Sequence, residues 1–130
     1  VIDASVAASW CLADEARKET TAVLDVVVSR TARVPPLWEF EVANALLSAE
    51  RQGRISRTEM ERQLAELEAL PIHTQSVELS KIIFLAHQYE LTIYDAAYLA
   101  LAFANDFSLA TTDGDVKKAA LQLGVNLLIK

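Results

Sequence analysis

Ser108-Leu-Ala-Thr-Thr-Asp-Gly-Asp115 begins as an apolar run of strand length and ends on carboxylates, and a helical pattern follows it as far as Leu123. The chain starts in the same way, with Val1-Ile2 leading to Asp3 and a short helix from Ser5. In sheets of alternating strands and helices, ligands gather at the carboxyl ends of the strands, so Asp3 and Asp113 are candidates for one site. Glu41 and Asp95 fall at helix positions that can face the same place. Four carboxylates converging on one pocket point to metal-dependent phosphoryl chemistry.

Outward from these two stretches, strands and helices alternate. Short strands are predicted at residues 33–35, 72–73, 108–112 and 126–129, besides the leading one. Helices are predicted over residues 16–29, 36–52, 76–89, 92–104 and 115–123, with one more that starts from the capping box of Ser56 and Glu59 and stops before Pro71. Pro36 suits a first helical turn and Gly53 a helix stop. Short strands separated by helices imply a parallel sheet of four or five strands, covered on both faces in three α/β/α layers. No linker, internal repeat or low-complexity segment interrupts residues 1–130, which read as a single domain.

Composition sets outer limits. The 130 residues are 52% hydrophobic and 23% charged with only 3 Gly and 3 Pro, a profile that supports a substantial core. Apolar stretches at residues 82–86 and 96–104 fall well short of the ~18 needed to cross a bilayer. With one cysteine, Cys11, and no zinc-spaced Cys/His cluster, the expected compartment is the cytoplasm, without membrane association. A start at Val1 without Met leads us to expect a short preceding segment, and no signal peptide is legible.

A net charge of -6 excludes nucleic-acid binding by bulk electrostatics, so any such contact must be local. Arg51, Arg54, Arg57, Lys81, Lys117 and Lys118 are available for it, although a solvated helix face explains each one alone. Four carboxylates within about 6 Å of one another would form six like-charge pairs, each costing on the order of 3 kcal/mol at an effective dielectric near 20. Such a cluster must bind cations or take up protons.

Each acid also has an ordinary structural explanation. Asp95 follows Thr92 by three residues, the spacing of a capping box, and Asp113 can cap the helix after it. Glu41 shares a narrow strip with Asn44, Ala45 and Ser48, and Glu39 is its rival, turned about 200° away on the same helix. Asp3 is hardest to explain as structure, because the end of a leading apolar strand is an odd place for unpaired charge. His73 and His87 are too few and too dissimilar for an acid-base pair. Trp10, Trp38, Phe40 and Tyr98 read as core or interface aromatics, and Cys11 as a buried small hydrophobe.

Four segments together, Val1-Ile-Asp-Ala-Ser5, Pro36-Leu-Trp-Glu-Phe-Glu-Val-Ala-Asn-Ala-Leu46, Tyr94-Asp-Ala-Ala-Tyr-Leu-Ala-Leu-Ala102 and Leu109-Ala-Thr-Thr-Asp-Gly-Asp115, resemble the PIN-domain family. The likeness covers nearly the whole chain and is strongest to the VapC-like toxins of toxin-antitoxin pairs. It implies a magnesium-dependent endoribonuclease, with Mn2+ a substitute, whose catalytic acids are Asp3, Glu41, Asp95 and Asp113. Asp3 and Asp95 match direct metal ligands, with Glu41 and Asp113 reaching the ion through water. Ser5, Thr111, Thr112 and Asp115 match supporting positions. The spacing to Asn44 selects Glu41 over Glu39. Gly114 and Val116 depart from the family pattern, where a basic or polar residue and an aromatic one are common.

The resemblance further implies hydrolysis of single-stranded or looped RNA to a 5′ phosphate, a small cognate antitoxin as partner, and a homodimer. Val23, Val26 to Val28, Leu46, Leu47, Leu64 and Leu67 offer apolar helix surface for an interface, or else belong to the core. A non-catalytic PIN-fold RNA- or protein-binding module is the alternative, but such a module would be expected to lose acidic positions. A receiver-type domain would need a Lys after its last strand, and a haloacid-dehalogenase-type phosphatase a second Asp where Ser5 stands.

Overall fold

The computed structural model describes residues 1–130. Asp3 ends the leading extended segment by capping helix α1 (Ala4–Cys11): its Oδ1 accepts from the Ser5 N–H at 3.3 Å. A single 3-10 turn, Ala13–Glu15, leads to α2 (Lys18–Ser29) and strand β1 (Ala32–Val34). Then come α3 (Trp38–Arg51), α4 (Arg57–Glu68), strand β2 (Ile72–Thr74), α5 (Leu79–Tyr89), α6 (Ile93–Asn105) and α7 (Gly114–Leu123).

β1 and β2 pair in parallel, with Ala32 opposite Ile72 and Val34 opposite Thr74. Three further extended segments join in parallel through single bridges, Ile2 to Ala110 and Leu109 to Leu127. The Asp3 N–H donates to the Ala110 carbonyl (2.9 Å), the Ala110 N–H to Val1 (2.8 Å), and the Leu109 N–H to Asn126 (2.8 Å). The expected parallel α/β architecture is therefore present, but only two of the predicted strands reach regular length. Capping cuts two of the others short, since α1 starts at Ala4 and Asp113 caps α7.

Alternation along these segments divides the core in two. Val1 and Leu109 join a cluster of 25 buried residues, while Ile2 and Ala110 join a cluster of eight with Val6, Val23 and Val27. Successive residues of an extended chain point to opposite faces, so helices cover both sides of the sheet. The larger cluster is centred on α6, where seven consecutive residues from Ala96 to Ala102 are buried. A helix so enclosed must be lined with small residues, and four of the seven are alanine.

Helix boundaries move by a turn or less from the sequence pattern. α2 starts at Lys18 because the 3-10 turn takes residues 13–15, and Pro36-Leu37 form a turn before α3 starts at Trp38. Gly53 ends α3 with φ +74, a conformation that glycine adopts without steric cost. Of the Ser56/Glu59 box, the Ser56 half forms, with its hydroxyl accepting the Glu59 N–H at 3.0 Å, while the Glu59 carboxylate pairs with Arg62. Val23, Val27, Leu46 and Leu67 lie in the core, whereas Val26 and Val28 are exposed.

Candidate active site

All four acids stand at helix N-termini, Glu41 in the first turn of α3. Asp3 caps α1, Asp113 caps α7 by accepting the Val116 N–H at 2.9 Å, and Asp95 lies in the first turn of α6, whose cap Thr92 accepts the Asp95 N–H at 3.1 Å. The capping geometry is thus real, and it orients the acids rather than replacing another role. Unpaired N–H groups and the helix dipole favour negative charge at these ends, which offsets part of the repulsion among the acids.

Asp3 is only 7% exposed. Its second oxygen, Oδ2, accepts the Thr111 hydroxyl at 2.6 Å, and Thr111, itself fully buried, accepts the Asp113 N–H at 3.1 Å. One threonine therefore ties the first acid to the loop that carries the last. Tyr98, 1% exposed on α6, donates its hydroxyl to Glu41 Oε1 at 2.6 Å. We read Tyr98 as a core aromatic from sequence, and its ring is indeed buried. No local signal in the sequence announces its polar end, whose partner lies 57 positions away on α3. Glu39 is exposed on the wall of an apolar groove, on a different side of α3.

Burial holds the Asp3 carboxyl above its ordinary value, against the lowering effect of its bonds from Thr111 and Ser5, and the Asp113 charge adds to the rise. Asp95 is raised too, first by burial, then by the charges of Asp113, Asp3 and Glu41. Burial and the bond to Glu41 push the Tyr98 hydroxyl up, keeping it a donor at any physiological pH. The Asp95 carboxyl thus feels the charges of the other three acids. No three acidic, histidine or cysteine side chains form a ready-made metal cage. A small hard cation needs none: it keeps several waters and takes one or two carboxylates plus substrate oxygens. An all-oxygen donor set with raised carboxyl pKa values fits such an ion.

Among the supporting positions, the Ser5 hydroxyl is buried without a partner, and Thr112 borders a depression shared with Ser5 and Arg17. Asp115 is exposed and lines a separate depression with His87, Glu90 and Lys118. The largest cavity, about 550 Å³, lies away from the acids between α3, α4 and the β1–β2 pair, and its walls include Val34, Trp38, Phe40, Leu64, Leu67 and Ile72. No helix is long and apolar enough to cross a membrane. Cys11 is buried and its thiol is pushed up to about 11, chiefly by desolvation, which makes it chemically inert.

The raised carboxyls make stability depend on pH. Both groups hold a proton to higher pH when folded than the ordinary value of 3.8, so their contribution is full below that value and is lost as pH rises through the raised folded values. In EDTA, the melting temperature should therefore fall as pH rises from about 4 to 7, and fall less in Asp95→Asn. Parallel curves for the two proteins would contradict the shared field.

One acid thus ends a buried extended segment, two more stand at helix N-termini, and a tyrosine holds the fourth. The chain belongs to the PIN-domain family, whose pattern matches residues 1–121. It is 32% identical over 117 residues to Ribonuclease VapC3 of Pyrobaculum aerophilum, covering 87% of this chain and 88% of that protein. A crystal structure of PAE2754, also from Pyrobaculum aerophilum, superposes with a TM-score of 0.76 at 22% identity, over 98% of this chain and 87% of the other.

Proposed function

We propose that this chain is a magnesium-dependent endoribonuclease and the toxin of a toxin-antitoxin pair, acting as a single PIN-like unit over residues 1–130 in the cytoplasm. The observation that carries the reading is geometric: Thr111 ties Asp3 to the loop of Asp113, and Tyr98, one turn beyond Asp95 on α6, ties Glu41 to that helix. The likeness to Ribonuclease VapC3 supports RNA as the substrate.

When bound at this pocket, magnesium supplies Lewis acidity toward phosphoryl oxygens and lowers the pKa of water. Asp3 and Asp95 would hold it. Thr111 orients Asp3, leaving the carboxylate edge on the pocket side fixed. Tyr98 orients Glu41 through one oxygen and leaves the other free. Asp113, anchored at Oδ1 by the α7 N-terminus, would act on the ion through water. Ser5, Thr112 and Asp115 support the rim. Manganese, with the same preference for oxygen ligands, substitutes.

End-group analysis of cleaved single-stranded RNA tests the chemistry. Hydrolysis at such a site leaves a 5′ phosphate. A 2′,3′-cyclic phosphate would indicate attack by the ribose hydroxyl and would sink the proposed mechanism.

Tyr98→Phe should lower kcat roughly 10-fold, because Glu41 then samples other rotamers. Its cost in folding stability should stay near about 1 kcal/mol, since Glu41 is only half-buried and water replaces the lost donor. Steady-state kinetics beside a denaturant melt would check both; unchanged kcat would remove Tyr98 from the site.

The partner in this reading is a small antitoxin whose apolar helix fills the groove beside Trp38 and Phe40, and Phe40 at 72% exposure is the anchor it would cover. A homodimer would use exposed apolar surface such as Leu79, Ile83 and Phe84 on α5. Co-expression with the neighbouring gene product, followed by size exclusion, tests the pairing: separate elution would end it.

A further inference from the structure

We propose that the depression lined by Arg17, Lys117 and Thr112 is a phosphate subsite that receives a backbone phosphate of the RNA next to the scissile one. This deepens the ribonuclease reading and rests on it.

In a chain of net charge -6, converging cations without partners need a reason. Every ion pair in the structure engages Arg54, Arg57 or Arg62, and none engages Arg17 or Lys117. These two line one depression of about 270 Å³ together with Lys130, and the single carboxylate there is Glu19. Thr20 and Thr112 supply hydroxyls to the same walls.

The base of the depression is rigid. Arg17 caps α2: its N–H donates to Thr20 Oγ1 at 3.3 Å, and its carbonyl accepts the Thr20 and Thr21 hydroxyls at 3.0 Å each. Thr20 is 1% exposed, and its carbonyl accepts Trp10 Nε1 at 2.7 Å. Lys117 sits one turn into α7, where its N–H donates to the Asp113 carbonyl at 3.0 Å.

Chain connectivity sets this depression beside the acids. Thr112 lies between Thr111, which holds Asp3, and Asp113, which caps α7. It also borders the smaller depression that holds Ser5, Ser9 and Arg17, whose own carboxylates, Asp14 and Glu15, are paired with Arg54. Single-stranded nucleic acid needs such a cationic track for its backbone, and the acidic pocket cannot provide it. The monoanionic oxygens of a backbone phosphodiester suit an arginine fork with a lysine point charge.

The test uses the cleavage-silent Asp95→Asn chain and a labelled single-stranded RNA, with affinity measured across a salt series. Adding Arg17→Gln and Lys117→Gln should weaken binding about 10-fold and flatten the log affinity against log salt plot by about 0.7 per lost phosphate contact. The control pair Arg30→Gln and Arg33→Gln, which changes net charge equally at exposed positions outside the depression, should alter neither. Equal weakening by both pairs, or no weakening by the first, would overturn the subsite.

With magnesium and otherwise wild-type protein, the Arg17/Lys117 pair should raise KM more than it lowers kcat. If the wild type cuts RNA while its binding ignores this pair, the subsite falls alone. If binding depends on the pair while nothing is cut under any metal, the subsite stands and the nuclease reading falls.

Discussion

Asp3→Asn should lower magnesium-dependent RNA cleavage by at least about 10³-fold while leaving the fold intact and making the metal-free protein more stable at neutral pH. The fold survives because asparagine is also a good helix cap and can still accept the Ser5 N–H. Its amide can donate to Thr111 Oγ1, whose own hydroxyl proton can then turn away, so the buried pairing is kept with its polarity reversed. What disappears is the charge. Asp3 is a buried carboxyl raised by desolvation and by Asp113, so ionising it at neutral pH costs the folded chain stability. Removing that cost should raise the melting temperature in EDTA by roughly 3 to 6 °C. Magnesium should stabilise the wild type and not the variant. A loss of cleavage accompanied by unfolding would mean instead that Asp3 serves the α1 cap alone.

The second large effect is structural. Leu101→Ala should cost about 3 to 4 kcal/mol and lower the melting temperature by roughly 10 to 15 °C. Leu101 is fully buried on α6 within the larger cluster, where alanines at 96, 97, 100 and 102 already bring the backbones close and leave little room to collapse into a void. The same helix carries Asp95 and Tyr98, so a cavity at Leu101 should also loosen the site. Differential scanning calorimetry measures the first effect. A change under about 1 kcal/mol would show that α6 is not the centre of the packing.

How far the sequence could be read depended on what each residue's environment demanded. Period and punctuation were enough for the helices, because Gly53, the Ser56 cap and the Thr92 cap act locally. Strands were legible as apolar runs but not as ladders. Whether Val1-Ile2 or residues 126–128 form a regular strand depends on how soon the chain must turn into a helix or loop, and here single bridges result. The acids were visible as individual residues whose capping explanation was equally good. The structure shows that a capping acid can also be tied to another element, as Asp3 is through Thr111, a combination that sequence spacing presents as a choice.

Tyr98 shows the opposite limit. A tyrosine inside a buried alanine and leucine helix reads as packing, and only tertiary contact with α3 gives its hydroxyl a carboxylate partner 57 positions away. Arg17 was likewise invisible, since nothing in its local sequence sets it apart, while Lys117 was one of several surface cations. Their meeting depends on α2 and α7 approaching the same depression. Asp115, two residues from Asp113, looked equivalent in sequence, yet the first turn of α7 rotates it to the side of His87 and Glu90.

Cleavage of single-stranded RNA by the purified, antitoxin-free chain with magnesium and with EDTA, beside Asp95→Asn, tests the central claim most directly. We predict cutting that requires the metal and that Asp95→Asn abolishes, with both proteins folded by circular dichroism. Cutting that persists in EDTA or in the variant, or a folded wild type that is inert on every RNA, would contradict the acidic pocket as a ribonuclease site.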